Sequence, residues 1–166
     1  MYNHHIYRER QAVSKSSVLF HFLGSADELN AHLGLVKAML SNENLLLSAC
    51  RFIEEIQKNI MKMMSHAADS KNNNYFFTDN DVADIEKEID KLKKNIHELT
   101  EFVIPGKNIT EAQIQITRTA ARRAERFFTA LSEELQDEQG TLLCPKACVY
   151  INRLSNYLFF LSQQNY

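Results

Sequence analysis

A chain of 166 residues, 45% hydrophobic and 24% charged, has the size and balance of one globular domain, enough to bury roughly 70% of its unfolded surface. A formal net charge of −2 excludes a global attraction to nucleic acid or to an anionic membrane, while leaving room for a local basic cluster that holds a small polyanion. Cys50, Cys144 and Cys148 are too few and too unevenly placed for a disulfide framework, no apolar run approaches the ~20 residues that span a bilayer, and the N-terminus lacks the apolar core of a secretory signal, so a cytoplasmic protein is expected.

Four glycines and two prolines leave few sharp turns, so long helices are expected. Residues 1–16 form a short N-terminal arm, and 1–166 reads as one helical-bundle domain. Ser25-Ala-Asp27-Glu28 has the pattern of a capping box opening a first helix, continued by Leu29, Leu33, Val36 and Leu40 at helical spacing. A second helix is expected from about Asn44 to Ala68, with Leu46, Cys50, Ile53, Ile56, Ile60, Met63 and Met64 on one side. Ser70 to Asn74 is a polar break. Thr78 or Asp79 caps a third helix, whose Val82, Ile85, Ile89, Leu92 and Ile96 recur at three and four residues. Phe102-Val-Ile-Pro105-Gly106 interrupts as an apolar loop. A fourth helix runs from about Thr110 to Leu135, and a fifth follows Pro145 to about Gln163. Five helices on short loops predict an all-α bundle.

The fourth helix carries Arg118-Thr-Ala-Ala-Arg122-Arg123-Ala-Glu125-Arg126. At 100° per residue Arg118, Arg122 and Glu125 share a face, with Arg123 and Arg126 on a neighbouring one. Four arginines this close repel unless anions lie among them. A guanidinium fork matches phosphate oxygens, and a nearby carboxylate can orient the fork or meet a magnesium ion. The alternative is a solvated face with internal Arg–Glu pairs. On the fifth helix Asn152, Ser155 and Asn156 set a polar stripe among apolar positions; as buried amides they would either cross-link helices or meet a ligand. Cys144 and Cys148 without matching histidines are weak as a metal site, so Cys148 reads as core. His4-His5 reads as part of a mobile terminus. The other histidines show no ligand spacing, and Met61, Met63 and Met64 read as bundle filling. Lys91, Lys93 and Lys94 read as a wet helix face. Phe102 is either a loop anchor in the core or a surface for a ligand.

These segments resemble the propanediol-utilisation type of ATP:cob(I)alamin adenosyltransferase. Arg118 to Arg126 is similar to that family's Arg-Thr-x-x-Arg-Arg-Ala-Glu-Arg, and Tyr150-Ile-Asn152-Arg153-Leu-Ser155-Asn156 to its Tyr-Leu-Asn-Arg-Leu-Ser-Asp. Gly24-Ser-Ala-Asp27-Glu28-Leu29-Asn30 looks like its Gly-x-x-Asp-Glu-Leu-Asn, with Lys15 at the spacing of a phosphate-contacting lysine. Ile85 to Asp90 and Phe102 to Gly106 follow in the family's order. The resemblance implies a ferritin-like, up-and-down five-helix subunit that trimerises, with ATP and Mg2+ at the seam and cobalamin as co-substrate. Cobalt(I) attacks the 5′ carbon of ATP, adenosylcobalamin forms and triphosphate leaves. Carried over, Arg122 binds phosphate with Lys15 beside it, Glu125 lies near the magnesium, and Asn152 belongs to the ATP site. Asp27 pairs with Arg118 between subunits, and Phe102 closes the lower face of the corrinoid. A cobalt reductase or an adenosylcobalamin-dependent enzyme is the protein partner to be expected.

The chain also departs from the family pattern. Only fourteen residues precede Lys15, none of them glycine, so the family's glycine-rich triphosphate loop is not expected. Ala12 replaces an arginine, Gln115 a common histidine, and Asn156 an aspartate. A second reading therefore stands beside the enzyme: a relative that binds corrinoid or nucleotide without catalysis, as carrier or sensor. A purely structural helical bundle is a third.

Overall fold

A computed structural model describes residues 7–8, 11–12, 14, 17–42, 47–69, 77–96, 102–135 and 144–164. Lys15, His4, His5 and the polar break at 70–74 lie outside these residues. Five helices dominate: α1 (Val18–Asn42), α2 (Leu47–Ala68), α3 (Asp79–Lys93), α4 (Ile109–Glu134) and α5 (Pro145–Ser162). Two short strands, β1 (Tyr7–Arg8) and β2 (Gln11–Ala12), pair antiparallel ahead of them. The all-α expectation holds for the bundle.

The packing runs α2 on α1, α1 on α4, α4 on α5 and α5 on α3. Helix α4 therefore has neighbours on two sides, and its composition fits that position. Ala120, Ala121 and Ala124 are buried on it, small enough to let flanking helices approach, while Ile114, Phe128 and Leu131 fill the remaining space. Helix α1 contributes Leu29, Leu33, Val36 and Leu40, all fully buried. Each such side chain contributes roughly 1.5–3 kcal/mol of burial before the entropy of ordering is set against it. Aromatic contacts fasten the layers: Phe22 meets Phe128 with ring centroids 4.9 Å apart, and Phe52 meets Tyr157 edge-on at 5.1 Å. Asn59 donates from Nδ2 to the Tyr150 hydroxyl at 3.1 Å, and burial pushes that phenol well above its ordinary value.

Helix ends show where sequence logic worked and where tertiary packing overrode it. Thr78 caps α3 as a reciprocal capping box: its backbone N–H and hydroxyl donate to Asp81 Oδ2 at 2.6 and 2.7 Å, and its Oγ1 accepts from the Asp81 amide. Ser25, by contrast, does not open α1. The helix is already under way at Val18, and Ser25 is buried inside it, donating from Oγ to the Phe22 carbonyl at 2.9 Å. Burial of Leu19 and Phe22 explains the earlier start, because both belong to the core. Helix α2 is described from Leu47, with Asn44 and Leu46 outside the described residues, and α3 ends at Lys93, leaving Ile96 beyond it. Met63 is buried as expected, whereas Met61 is an exposed residue.

Candidate functional site

The arginine segment lies at the middle of α4, and its members divide by environment. Arg118 is half-buried and donates from Nε to Gln115 Oε1 at 2.8 Å. Gln115 is itself buried and donates from Nε2 to Ser162 Oγ of α5 at 2.9 Å. An amide thus orients Arg118 by its dipole and leaves its charge unneutralised. Arg123 pairs with Glu28 of α1. Arg126 donates from Nη1 to the Arg122 carbonyl at 3.2 Å. Arg122 is exposed, and its guanidinium has no hydrogen-bond or ionic partner among the described residues. One turn on, half-buried Glu125 accepts from Asn152 Nδ2 at 2.6 Å. That bond crosses from α4 to α5 and joins two of the expected site residues directly.

Helix α5 reaches this position by the same periodicity that buries it. Ile151, Leu154 and Leu158 face the core, which leaves Asn152 and Asn156 outward. The expectation of buried amides is corrected: Asn152 and Asn156 are exposed, and only Ser155 is buried, donating to the Asn152 carbonyl at 3.0 Å. Asn156 lines a cleft of about 300 Å3 between α3 and α5 with Glu86, Asp90, Lys93 and Arg153. Arg153 closes part of it through Glu86 at 2.9 Å.

Asp27 is exposed on α1. Among the described residues no ion pair joins it to Arg118. Phe102 settles one alternative. It is 102% exposed, and Ile104 and Ile109, two and seven residues further along the chain, are 86% and 80% exposed. A core anchor is therefore ruled out for Phe102.

One residue at this end was not singled out by sequence. Glu111 is 2% exposed. Its Oε2 accepts from the backbone N–H of Gly106 at 2.7 Å and of Lys107 at 3.1 Å. Asn108 caps α4 by accepting from the Glu111 amide at 2.8 Å. The spacing Asn108-x-x-Glu111 is a capping signature that could have flagged it, although here the carboxylate reaches one or two residues further back than a capping box does. Gly106 has φ +112°, a backbone state open to glycine and strained for other residues.

Metal chemistry is limited by the donor set. Among the described residues no three His, Cys, Asp or Glu side chains converge as a metal site. Glu125 alone suits Mg2+, which commonly takes one or two carboxylates with substrate phosphates and water. Cys148 is half-buried, donates to Ser132 Oγ at 3.6 Å, and has its thiol pushed up by burial, the state of an inert packing cysteine. No helix among the described residues is long and apolar enough to cross a membrane.

Comparison with known proteins bears on this geometry. The family model described as "Cobalamin adenosyltransferase" matches residues 5–164. The corrinoid adenosyltransferase of Citrobacter freundii is 30% identical over 155 residues, covering 91% of this chain and 82% of its own length. That of Bacillus subtilis is 32% identical over 148 residues, covering 87% and 72%. The corrinoid adenosyltransferase PduO of Salmonella typhimurium is 29% identical over 157 residues; 92% of this chain spans only 44% of that longer protein. Among solved structures, an Arg-to-Lys variant of the PduO-type ATP:co(I)rrinoid adenosyltransferase from Lactobacillus reuteri, complexed with ATP, superposes with a TM-score of 0.77. It is 25% identical over 92% of this chain and 83% of its own. A Phe-to-His variant complexed with cobalamin and ATP gives 0.73 at 26% identity, covering 93% and 81%.

Proposed function

Because the chain belongs to the cobalamin adenosyltransferase family, we propose that it transfers the 5′-deoxyadenosyl group of ATP to cob(I)alamin. The cobalt(I) lone pair forms a bond to the 5′ carbon, the carbon–oxygen bond breaks, and triphosphate leaves with the electron pair. The observation that carries this reading is the Asn152–Glu125 bond across α4 and α5, with Arg122, whose guanidinium has no partner among the described residues, one helical turn away. A carboxylate held by an amide beside an open guanidinium is an arrangement for a metal-bound polyphosphate.

Each residue then has a task. Arg122 presents two parallel donors to the triphosphate and stabilises the charge that grows as it departs, a gain that is larger for donors already in place. Glu125, oriented by Asn152, would hold Mg2+, which would neutralise charge on the triphosphate. Lys15, outside the described residues, supplies a further cation for the triphosphate in this reading. Phe102 covers the lower face of the corrinoid, keeping out an axial ligand so that cobalt(II) is more easily reduced. A fully exposed phenylalanine, followed in the chain by exposed Ile104 and Ile109, supports an apolar ligand face there.

The protein acts as a homotrimer in this reading, with Asp27 of one subunit meeting Arg118 of the next. That neither has an ion-pair partner among the described residues of one chain fits that arrangement. Its setting is the cytoplasm, next to a cobalt reductase or an adenosylcobalamin-dependent enzyme. The test is anaerobic incubation with ATP, Mg2+ and cob(I)alamin. Appearance of the adenosylcobalamin spectrum with stoichiometric triphosphate supports transfer. Binding of both substrates with no product would instead establish the carrier or sensor reading.

A further inference from the structure

We infer that Glu111 is a positioning residue for the corrinoid step: it holds the 102–108 loop against α4 and thereby fixes where Phe102 stands. The inference rests on the corrinoid reading of Phe102 given above. A side chain that is 102% exposed packs on nothing in its own chain, so only its backbone can locate it. That backbone is tied to the bundle four and five residues later, where the amides of Gly106 and Lys107 both donate to Glu111 Oε2.

Helix stability alone does not account for Glu111. Asn108 already caps α4. A carboxylate in the first turn gains something from the helix dipole, but an exposed one would gain it without the cost of burial. Glu111 is buried, and its Oε1 has no hydrogen-bond partner among the described residues. Burying a carboxylate with one oxygen unmatched is costly, so the bonds its other oxygen makes must matter. Both go to the loop. The left-handed conformation at Gly106 turns the two successive N–H groups toward that oxygen, and an alanine there would be strained although nothing lies within 4 Å of its Cβ position.

The experiment compares wild type, Glu111→Gln, Glu111→Ala and Phe102→Ala. Hydrogen exchange at the Gly106 and Lys107 amides reads the tether without any ligand. The spectrum of cob(II)alamin bound with ATP reads how much loses its lower axial ligand and becomes four-coordinate. Isothermal titration reads ATP affinity. Glu111→Ala is expected to release both amides, to lower the four-coordinate yield toward that of Phe102→Ala, and to raise the corrinoid KM on the order of tenfold, as for loss of a charge-assisted bond. ATP affinity stays unchanged. Glu111→Gln keeps an acceptor oxygen, and it is expected to recover most of the protection and the yield.

Two results overturn the inference while leaving the corrinoid reading intact. One is unprotected amides in wild type. The other is a wild-type four-coordinate yield in a folded Glu111→Ala protein when Phe102→Ala has lost it. A third result removes the premise: if wild type forms no four-coordinate species with ATP, or Phe102→Ala forms as much as wild type, the role of Phe102 falls and that of Glu111 falls with it. Amide protection still reports in that case whether the tether exists.

Discussion

Arg122 offers a perturbation whose effects on stability and on binding separate cleanly. Its side chain is exposed and has no hydrogen-bond or ionic partner among the described residues. Truncation to alanine therefore breaks no internal network, and folding stability should move by no more than about 0.5 kcal/mol. The bond Arg122 does receive, from Arg126 Nη1, ends on its backbone carbonyl and survives the change. A guanidinium–phosphate interaction is worth about 1.5–3 kcal/mol, so ATP affinity should fall by roughly ten- to hundredfold. Arg122→Lys keeps the charge but loses the two-pronged geometry, and it should fall between. Arg126→Ala is the control, another exposed arginine one turn on. Thermal melts and calorimetric ATP titrations at one ionic strength check the pattern. An unchanged Kd in Arg122→Ala, or a larger loss in Arg126→Ala, would refute the phosphate role and return the segment to a solvated face.

Three further expectations use other parts of the molecule. Asp27→Ala should weaken trimer assembly or nucleotide binding, and exchanging the charges of Asp27 and Arg118 should restore part of the loss; sedimentation velocity unchanged in Asp27→Ala would sink the seam. If side-chain cations carry the triphosphate, ATP binding should weaken markedly as ionic strength rises and the Debye length shrinks to about 10 Å at 0.1 M, whereas salt-insensitive titrations would show a different cradle. Asp81 should make α3 acid-sensitive: burial pushes its carboxyl up, but the Thr78 bonds and Lys62 outweigh that and hold it below its ordinary 3.8. A depressed folded value gives stability that is full at neutral pH and lost as pH falls through 3.8 and below. The advantage of wild type over Asp81→Asn, about 1 kcal/mol for a cap, should therefore shrink in acid, and chemical denaturation showing a constant difference would contradict it.

Periodicity and turn chemistry carried most of the fold. Thr78, Pro145 and the three-and-four spacing of Ile85 and Ile89 are local signals, and local signals locate helices. Ser25 misled because it has the composition of a cap but the burial of a core residue, and only packing of Leu19 and Phe22 against the bundle decides between them. The family motifs likewise brought Glu125 and Asn152 forward, and the structure places them in contact. Exposure is what sequence does not encode. Phe102 reads equally well as a core anchor or as a bare platform, because an apolar residue in a loop has no periodicity to say which way it faces. Glu111 escaped notice because its partners are backbone amides, which every residue type except proline supplies.

The same limit governs the arginines, and it decides what they are for. Four guanidinium groups within nine residues look alike in sequence, and a solvated face would leave all four loosely paired. The structure treats them differently. Arg123 is neutralised by Glu28. Arg118 is held by a neutral amide that is itself anchored to Ser162, which fixes its direction without cancelling its charge. Arg122 stands open beside a carboxylate already engaged by Asn152. A charge that is oriented but not neutralised costs free energy in the isolated chain, and an anion arriving from outside recovers it. Arg118, oriented, and Arg122, open, stand on one face of α4 a turn apart and differ in the anion each can take. In the proposed reading, the fixed direction of Arg118 meets a carboxylate from a neighbouring subunit, and the open fork of Arg122 meets a mobile triphosphate.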